Sequence, residues 1–298
     1  MQLKSLRIFD AVCSSGSFGA AAQRLHTVQS NVTAHIKKLE EELQVQLMER
    51  SNGPVRLTPA GHTLLPHAQQ MLRTHDATCA LFSGGLPPAG GLRIGAMEST
   101  AALRLPAVLA KVYQAYPDID LQLRTGPTAA LLDDLARGAV DCVFVAGQPP
   151  NPRWWAQPVF QEELVLVGPA AMAQLPSPEA LLHTPFLAFR QGCSYRQRIE
   201  LLLASQGISA ARIMELGTLD AILGCVAAGM GFALMPQALM QTQQARFGIH
   251  CLRLPEPLRS QIGVVDTWWV APQPQGWSPQ LRALATQLQA LQPQAVAA

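Results

Sequence analysis

Residues 18–43 constrain this chain more than any other stretch. They read as two short amphipathic helices joined by a tight turn. The first carries Ala20, Ala21, Ala22 and Leu25, mostly small residues that let a second helix approach closely. The second sets Val32, Ile36, Leu39 and Leu43 at the i, i+4, i+7 spacing of a buried stripe. Its other face presents Gln29, Ser30, Asn31, Thr33, His35 and Lys37. Short polar side chains rich in donors are what a helix needs to read base edges in a major groove. The same pair would also serve as an ordinary packed helical hairpin.

Two further features favour nucleic acid. Lys4, Arg7, Arg24, Lys37 and Lys38 are opposed only by Asp10 within the first 39 residues, a local excess of four positive charges. The formal charge of the whole chain is only +2, so an anionic partner must meet a local surface and not a polybasic coat. Residues 48–57 then read as a strand, a Gly53-Pro54 turn and a return strand. This β-wing carries Arg50 and Arg56, where phosphates or a minor groove come within reach.

The succession Leu6-Arg7-Ile8-Phe9, Gly16-Ser17-Phe18-Gly19-Ala20-Ala21-Ala22, Ile36-Lys37-Lys38-Leu39-Glu40-Glu41-Glu42-Leu43 and Leu57-Thr58-Pro59-Ala60-Gly61 resembles the winged helix-turn-helix of LysR-type transcriptional regulators. A weaker likeness runs over the rest of the chain. The resemblance implies double-stranded operator DNA and a small-molecule effector as partners. It also implies a homodimer that goes on to a tetramer, and neither enzymatic activity nor a cofactor. One departure stands out. The family usually has proline, alanine and arginine near positions 30, 31 and 34, where this chain has Ser30, Asn31 and Ala34. Without the arginine a guanine contact does not carry over, which leaves Asn31, His35 and Lys37 to compensate.

With 298 residues, 49% of them hydrophobic and 14% charged, the chain has room for two domains with sizeable cores. Cys13, Cys79, Cys142, Cys193, Cys225 and Cys251 are scattered without a CxxC pair. That argues for reduced thiols, not a disulfide framework or a zinc site. The N-terminus lacks a basic start followed by an apolar run, and no apolar run approaches the roughly 20 residues of a membrane span. These features predict a cytoplasmic, nucleoid-associated protein without a membrane or metal partner.

Thr58-Pro59 reads as an N-cap followed by proline in the first turn of a long helix over about 59–82. Leu64, Leu65, Ala68, Met71, Leu72, Ala80 and Leu81 give it an apolar side. That side either packs on its own wing domain or pairs with a second chain. The family resemblance favours pairing, with Leu72 on the seam. The glycines and prolines of residues 83–91 make a hinge. Beyond it the pattern alternates: strand 92–96, helix 99–116, strand 119–124, helix 128–137, strand 141–146. Such βαβαβ order implies a parallel sheet. A strand at 162–167 leaves this unit, and a second α/β set follows with strands at 186–189, 213–216 and 232–235. A strand at 262–270 crosses back, before a terminal helix over 279–291.

The expected architecture is therefore α/β with an N-terminal all-α winged helix-turn-helix. The second part is a two-lobed domain like a periplasmic binding protein. The expected boundaries are 1–58 for the winged domain, 59–91 for the linker helix and hinge, and 92–298 for the effector domain. Its first lobe comprises 92–161 and 265–298, and its second 162–264.

Ligands of open α/β sheets gather at the carboxyl ends of strands, beside helix N-termini. That rule selects Glu98, Ser99 and Thr100, then Thr125 and Thr128, then Arg190, Cys193, Ser194, Tyr195 and Arg196. Ser99, Thr100 and Thr128 also read as plain helix caps; in related regulators hydroxyls matching Ser99 and Thr128 line the inducer pocket. Glu98 favours an amine, and Arg190 or Arg196 a carboxylate. The arginines can instead pair with acidic neighbours, or favour a Cys193 thiolate as a redox sensor. Glu98-Ser99-Thr100-Ala101-Ala102, Cys193-Ser194-Tyr195-Arg196 and Asn31-Val32-Thr33 look like a subgroup that includes regulators of putrescine utilisation.

No GxSxG, HExxH or Walker pattern is present, and Trp154-Trp155 and Trp268-Trp269 read as packing. The rival class is a small-molecule binding protein or enzyme whose N-terminal helices form only an oligomerisation arm. Salt-sensitive, sequence-specific duplex binding separates the two.

Overall fold

The computed structural model describes residues 1–49, 55–82, 87–208 and 212–290. The chain divides into two compact units, Met1–Leu86 with Arg137–Ala139, and Pro87–Ala136 with Val140–Ala298.

The first unit holds α1 (Leu3–Ser15), α2 (Phe18–Arg24), α3 (Gln29–Leu43) and α4 (Pro59–Leu81). Ser17 caps α2 by accepting from the Ala20 amide at 3.1 Å, satisfying one of the orphan donors at a helix start. Ala21 and Ala22 are buried, as are Val32, Ile36 and Leu39 of α3. The turn between the two helices passes through His26 at φ 50°. Together with Leu6, Phe9 and Val12 of α1, these residues make one core. Met48 and Leu57 form an antiparallel bridge, and the Glu49 amide donates to the Arg56 carbonyl at 2.9 Å. This is the base of the wing; the Gly53-Pro54 turn and Arg50 lie outside the described residues. Thr58 caps α4, accepting from the Gly61 amide at 3.1 Å. Gly61 can be nothing larger, since a Cβ there would sit 2.1 Å from the Leu47 carbonyl oxygen.

Leu72 corrects the expectation of an interchain seam at that position. It is 7% exposed and belongs to the same cluster as Leu6, Phe9 and Ala68. Two bonds fix α4 along α1: Gln69 donates to Asp10 at 2.7 Å and Arg7 pairs with Asp76 at 2.6 Å. The side chains of Ala80 and Leu81 lie outside those described.

The second unit runs β1 (Gly90–Ala96), α5 (Glu98–Leu103), α6 (Leu105–Ala115), β2 (Ile119–Thr125), α7 (Thr128–Ala136), β3 (Cys142–Ala146) and β4 (Trp155–Pro169). It continues with α8 (Pro178–His183), β5 (Phe186–Ala188), α9 (Ser194–Ser205), β6 (Ile213–Glu215), α10 (Leu219–Ala227) and β7 (Ala233–Pro236). It ends with α11 (Gln237–Phe247), β8 (Ile249–Arg253), α12 (Leu258–Ile262), β9 (Val264–Ala271) and α13 (Pro279–Gln289). Gly90 and Gly91 belong to β1; residues 83–86 of the expected hinge lie outside the described residues. The expected single helix 99–116 is two, broken at Arg104. Pro106 explains the break: it has no amide to donate to a preceding turn, yet suits the first turn of a new helix.

The main sheet has the order β2-β1-β3-β9-β4-β7, with β8 also on β4. β1 is parallel to both β2 and β3, whereas β9 runs antiparallel to β3 and β4. β4 starts earlier than expected and serves both lobes. Trp155 through Glu163 pair with β9, and Leu164 through Val167 pair with β7. The early start follows from the aromatic packing of Trp155 against Trp269 and Trp277, with ring centroids 4.7 and 5.0 Å away.

Since Leu72 is filled against its own chain, Leu72→Ala should lower the stability of the N-terminal unit by about 2–5 kcal/mol. Chemical denaturation of the full chain measures this. An unchanged midpoint, combined with dissociation in sedimentation, would restore Leu72 to an intermolecular contact.

Candidate functional site

Two surfaces gather the residues singled out by the sequence. The first is the outer side of α3. Gln29, Thr33 and Lys37 are exposed along it, one turn apart, with Ser30 and Ala34 beside them. Thr33 is exposed, and its Oγ1 donates back to the Gln29 carbonyl at 3.0 Å. Lys37 is 3.7 Å from Glu41, a weak exposed i,i+4 pair that leaves the ammonium available.

Asn31 and His35 stand apart from this row. Both are half-buried on the side of α3 nearer α1. The Asn31 amide donates to Thr27 Oγ1 at 2.9 Å, and His35 Nδ1 lies 3.0 Å from Ser5 Oγ. Burial, then the charges of Lys4 and Lys38, hold His35 below its ordinary value. The bond shared with the Ser5 hydroxyl lets His35 hold α1 and α3 together. Neither residue is the freely exposed donor that the sequence pattern suggests. Arg56 is exposed beside the Met48–Leu57 bridge.

The second surface is a cavity of about 270 Å³ within the second unit. Glu98, Ser99, Thr125, Arg190, Cys193 and Tyr195 line it, with Met97, Gly126, Pro127, Phe189 and Gly217. They reach it because β1, β2 and β5 all end on this side, and α5, α7 and α9 begin just beyond. Ser99 Oγ and Tyr195 Oη share a buried hydrogen bond of 2.8 Å across the cleft. Beside it Gly192, at φ +89°, allows a second close approach: a Cβ there would stand 3.3 Å from Ala129 Cβ. A bidentate pair between Arg104 and the buried Glu162, at 2.7 and 3.1 Å, holds the start of α6 to β4.

Four expected residues do not line this cavity. Thr100 is buried beneath α5, and Ser194 opens α9 without reaching the cavity. Thr128 Oγ1 is buried with no hydrogen-bond partner among the described residues. Arg196 is engaged by Glu200 and Glu215, each at 3.2 Å, so the acidic-neighbour alternative holds for it. Arg190 is exposed at the cavity with no ion pair among the described residues. The redox alternative for Cys193 runs against its setting. Burial pushes its thiol up, against the smaller opposing pull of the Tyr195 and Arg196 amides, and a reactive thiolate needs the reverse. Met97 and Phe189 lack a polar signature in the sequence; only their position at strand ends marks them.

Among the described residues, no cluster of three or more His, Cys, Asp or Glu is disposed to hold a metal ion, and no helix is long and apolar enough to cross a membrane.

Residues 3–62 match the bacterial regulatory helix-turn-helix protein model of the lysR family, and residues 86–292 match the LysR substrate binding domain. The chain belongs to the LysR family of transcriptional regulators. This regulator is 40% identical to the HTH-type transcriptional regulator YofA of Bacillus velezensis over 87% of its own length and 89% of that protein's. It is 36% identical to GltR of Bacillus subtilis, covering 82% of each chain. Its fold is similar to a full-length OxyR variant from Pseudomonas aeruginosa, with a TM-score of 0.78 at 24% identity over 97% of this chain and 95% of that one. It is also similar to CbnR solved with its target DNA, with a TM-score of 0.64 at 23% identity over 97% and 99% of the two chains. The α/β unit is thus the effector-binding domain of a DNA-binding regulator, and not an enzyme.

The Ser99–Tyr195 bond gives this regulator a measurable clasp. Tyr195→Phe strands a buried hydroxyl and should cost about 1–3 kcal/mol, whereas removing both hydroxyls with Ser99→Ala should recover much of that loss. Thermal unfolding of the four variants closes the cycle. Strictly additive losses would mean that the two hydroxyls do not interact in solution.

Proposed function

We propose that α3 enters the major groove of operator DNA with Gln29, Ser30, Thr33 and Lys37 leading, and that Arg56 and Arg50 meet the phosphates beside it. The exposed row on α3 carries this reading. Short hydroxyl and amide groups suit base edges, a threonine methyl such as that of Thr33 suits a thymine methyl, and Lys37 suits a phosphate. Asn31 and His35 act behind the row, fixing the pose of α3 against α1. The solved likeness of CbnR with its target DNA supports the same use of the N-terminal unit.

Two chains act together in this reading. A homodimer, assembling further into a tetramer on the nucleoid, lets two heads meet two half-sites. The functional division is 1–58 for DNA, 59–91 for linkage and pairing, and 92–298 for effector binding. A small metabolite occupies the cavity between Ser99 and Tyr195 and biases the arrangement of the heads. The likeness of residues 98–102 and 193–196 to a putrescine-utilisation subgroup keeps amine-bearing metabolites among the effectors.

Operator titrations test the DNA part. Thr33→Ala should weaken operator binding by about 1–3 kcal/mol if a base contact is lost, while leaving non-specific affinity unchanged. Lys37→Ala should weaken all duplexes alike and reduce the log–log salt slope by roughly 1. Unaltered affinity in the first variant and an unaltered slope in the second would remove this face of α3 from the interface.

A further inference from the structure

We infer that the cavity takes a small zwitterion, its ammonium at Glu98 and its carboxylate at Arg190. The inference rests on reading this cavity as the effector site, and it specifies the chemistry of the effector. Four ionisable side chains line the cavity: Glu98, Arg190, Cys193 and Tyr195. Burial pushes both Cys193 and Tyr195 up, which keeps them neutral. The charge available to a ligand is therefore one acid and one base.

Both charges are uncommitted. In this unit Arg93, Arg104, Arg124, Arg196, Arg246 and Arg259 each hold a carboxylate, whereas Arg153, Arg198, Arg212, Arg253 and Arg282 hold none among the described residues but do not line the cavity. Arg190 holds none among the described residues, and neither does Glu98 meet a cation. Glu98 is the first residue of α5, where a negative charge suits the helix end. That role alone would be met by a carboxylate in open water. Glu98 is half-buried at the cavity wall instead, so a ligand that displaces its water must offer a cation or leave the charge unpaired.

Burial orders the two ends. Glu98 is half-buried and Arg190 exposed, so an unpaired charge costs more at Glu98 and the cation is selected more strictly. On the Arg190 side, Cys193 lines the cavity and α9 starts at the next residue. A helix start there also favours the carboxylate. A volume of about 270 Å³ falls below the roughly 300–1,000 Å³ of drug-sized sites, which favours a small ligand.

Calorimetry on the full-length protein tests the class with short amino acids (both α and ω), and with diamines, dicarboxylates, monoamines and monocarboxylates of matched length. The best amino acid should bind at least about tenfold tighter than every other class. Glu98→Gln should abolish its advantage over the matched monocarboxylate, and Arg190→Gln its advantage over the matched monoamine. Equal or tighter binding of any other class, binding by no member of the panel, or indifference to both substitutions overturns the inference. A footprint of the operator, run with the same compounds, separates this outcome from the reading beneath it. If an amino acid binds through both residues yet leaves the footprint unchanged, the ligand class stands and the effector role of the cavity falls.

Discussion

One strand carries both lobes of the effector domain. β4 pairs with β9 up to Glu163 and with β7 from Leu164 onward, so the two lobes share a continuous hydrogen-bonded backbone. Glu162 sits at that changeover, 4% exposed and held by Arg104. A buried carboxylate left without its partner is strongly destabilising, even where the pair adds little over an apolar replacement. The pair therefore fixes α5 and α6 to the shared strand, and with them Glu98 and Ser99. The cleft inherits its shape from this arrangement.

The clasp over the cleft is of a different kind. Ser99 and Tyr195 are 96 residues apart in sequence and meet through one hydrogen bond of 2.8 Å. Each hydroxyl satisfies the other, so a ligand that takes either one must replace that bond. Gly192 supports the same closure: its positive φ favours glycine, and an added Cβ would crowd Ala129 at 3.3 Å. At the cleft itself the lobes thus meet through one hydrogen bond and one close approach, in addition to the strand and the buried core they share.

Much of this was legible in the sequence, and the exceptions have physical causes. The alternation of strands and helices along 90–146 is strongly periodic, and those elements form. The segment 237–247 was not anticipated as a helix because polar residues surround it, with only Leu239 and Met240 buried. β8 was missed because its burial does not alternate cleanly. Strand-end logic found Glu98, Ser99, Thr125, Arg190, Cys193 and Tyr195, which do converge on one cavity. It failed for Thr100, Thr128, Ser194 and Arg196, because a helix start turns successive side chains through about 100° each and only some face the cleft. The partners of Arg196 lie on α9 itself and on β6, and the second of these is a tertiary contact that spacing does not reveal. On α3 the helical period placed Gln29, Ser30, Thr33 and Lys37 outward. Asn31 and His35 lie off that row, and the nearness of α1 decides their burial.

A ligand changes a regulator only by binding its states unequally. Contact with one lobe alone stabilises every arrangement of the cleft that preserves that contact, and shifts nothing. Glu98 follows β1 in the first lobe, and Arg190 follows β5 in the second. A molecule held by both at once is sensitive to the distance between the lobes, because each charge pair weakens as its partner withdraws. A molecule with one charged end is sensitive mainly to its own lobe. If the proposed zwitterion is the effector, the opposed charges across the cleft make recognition and response the same event.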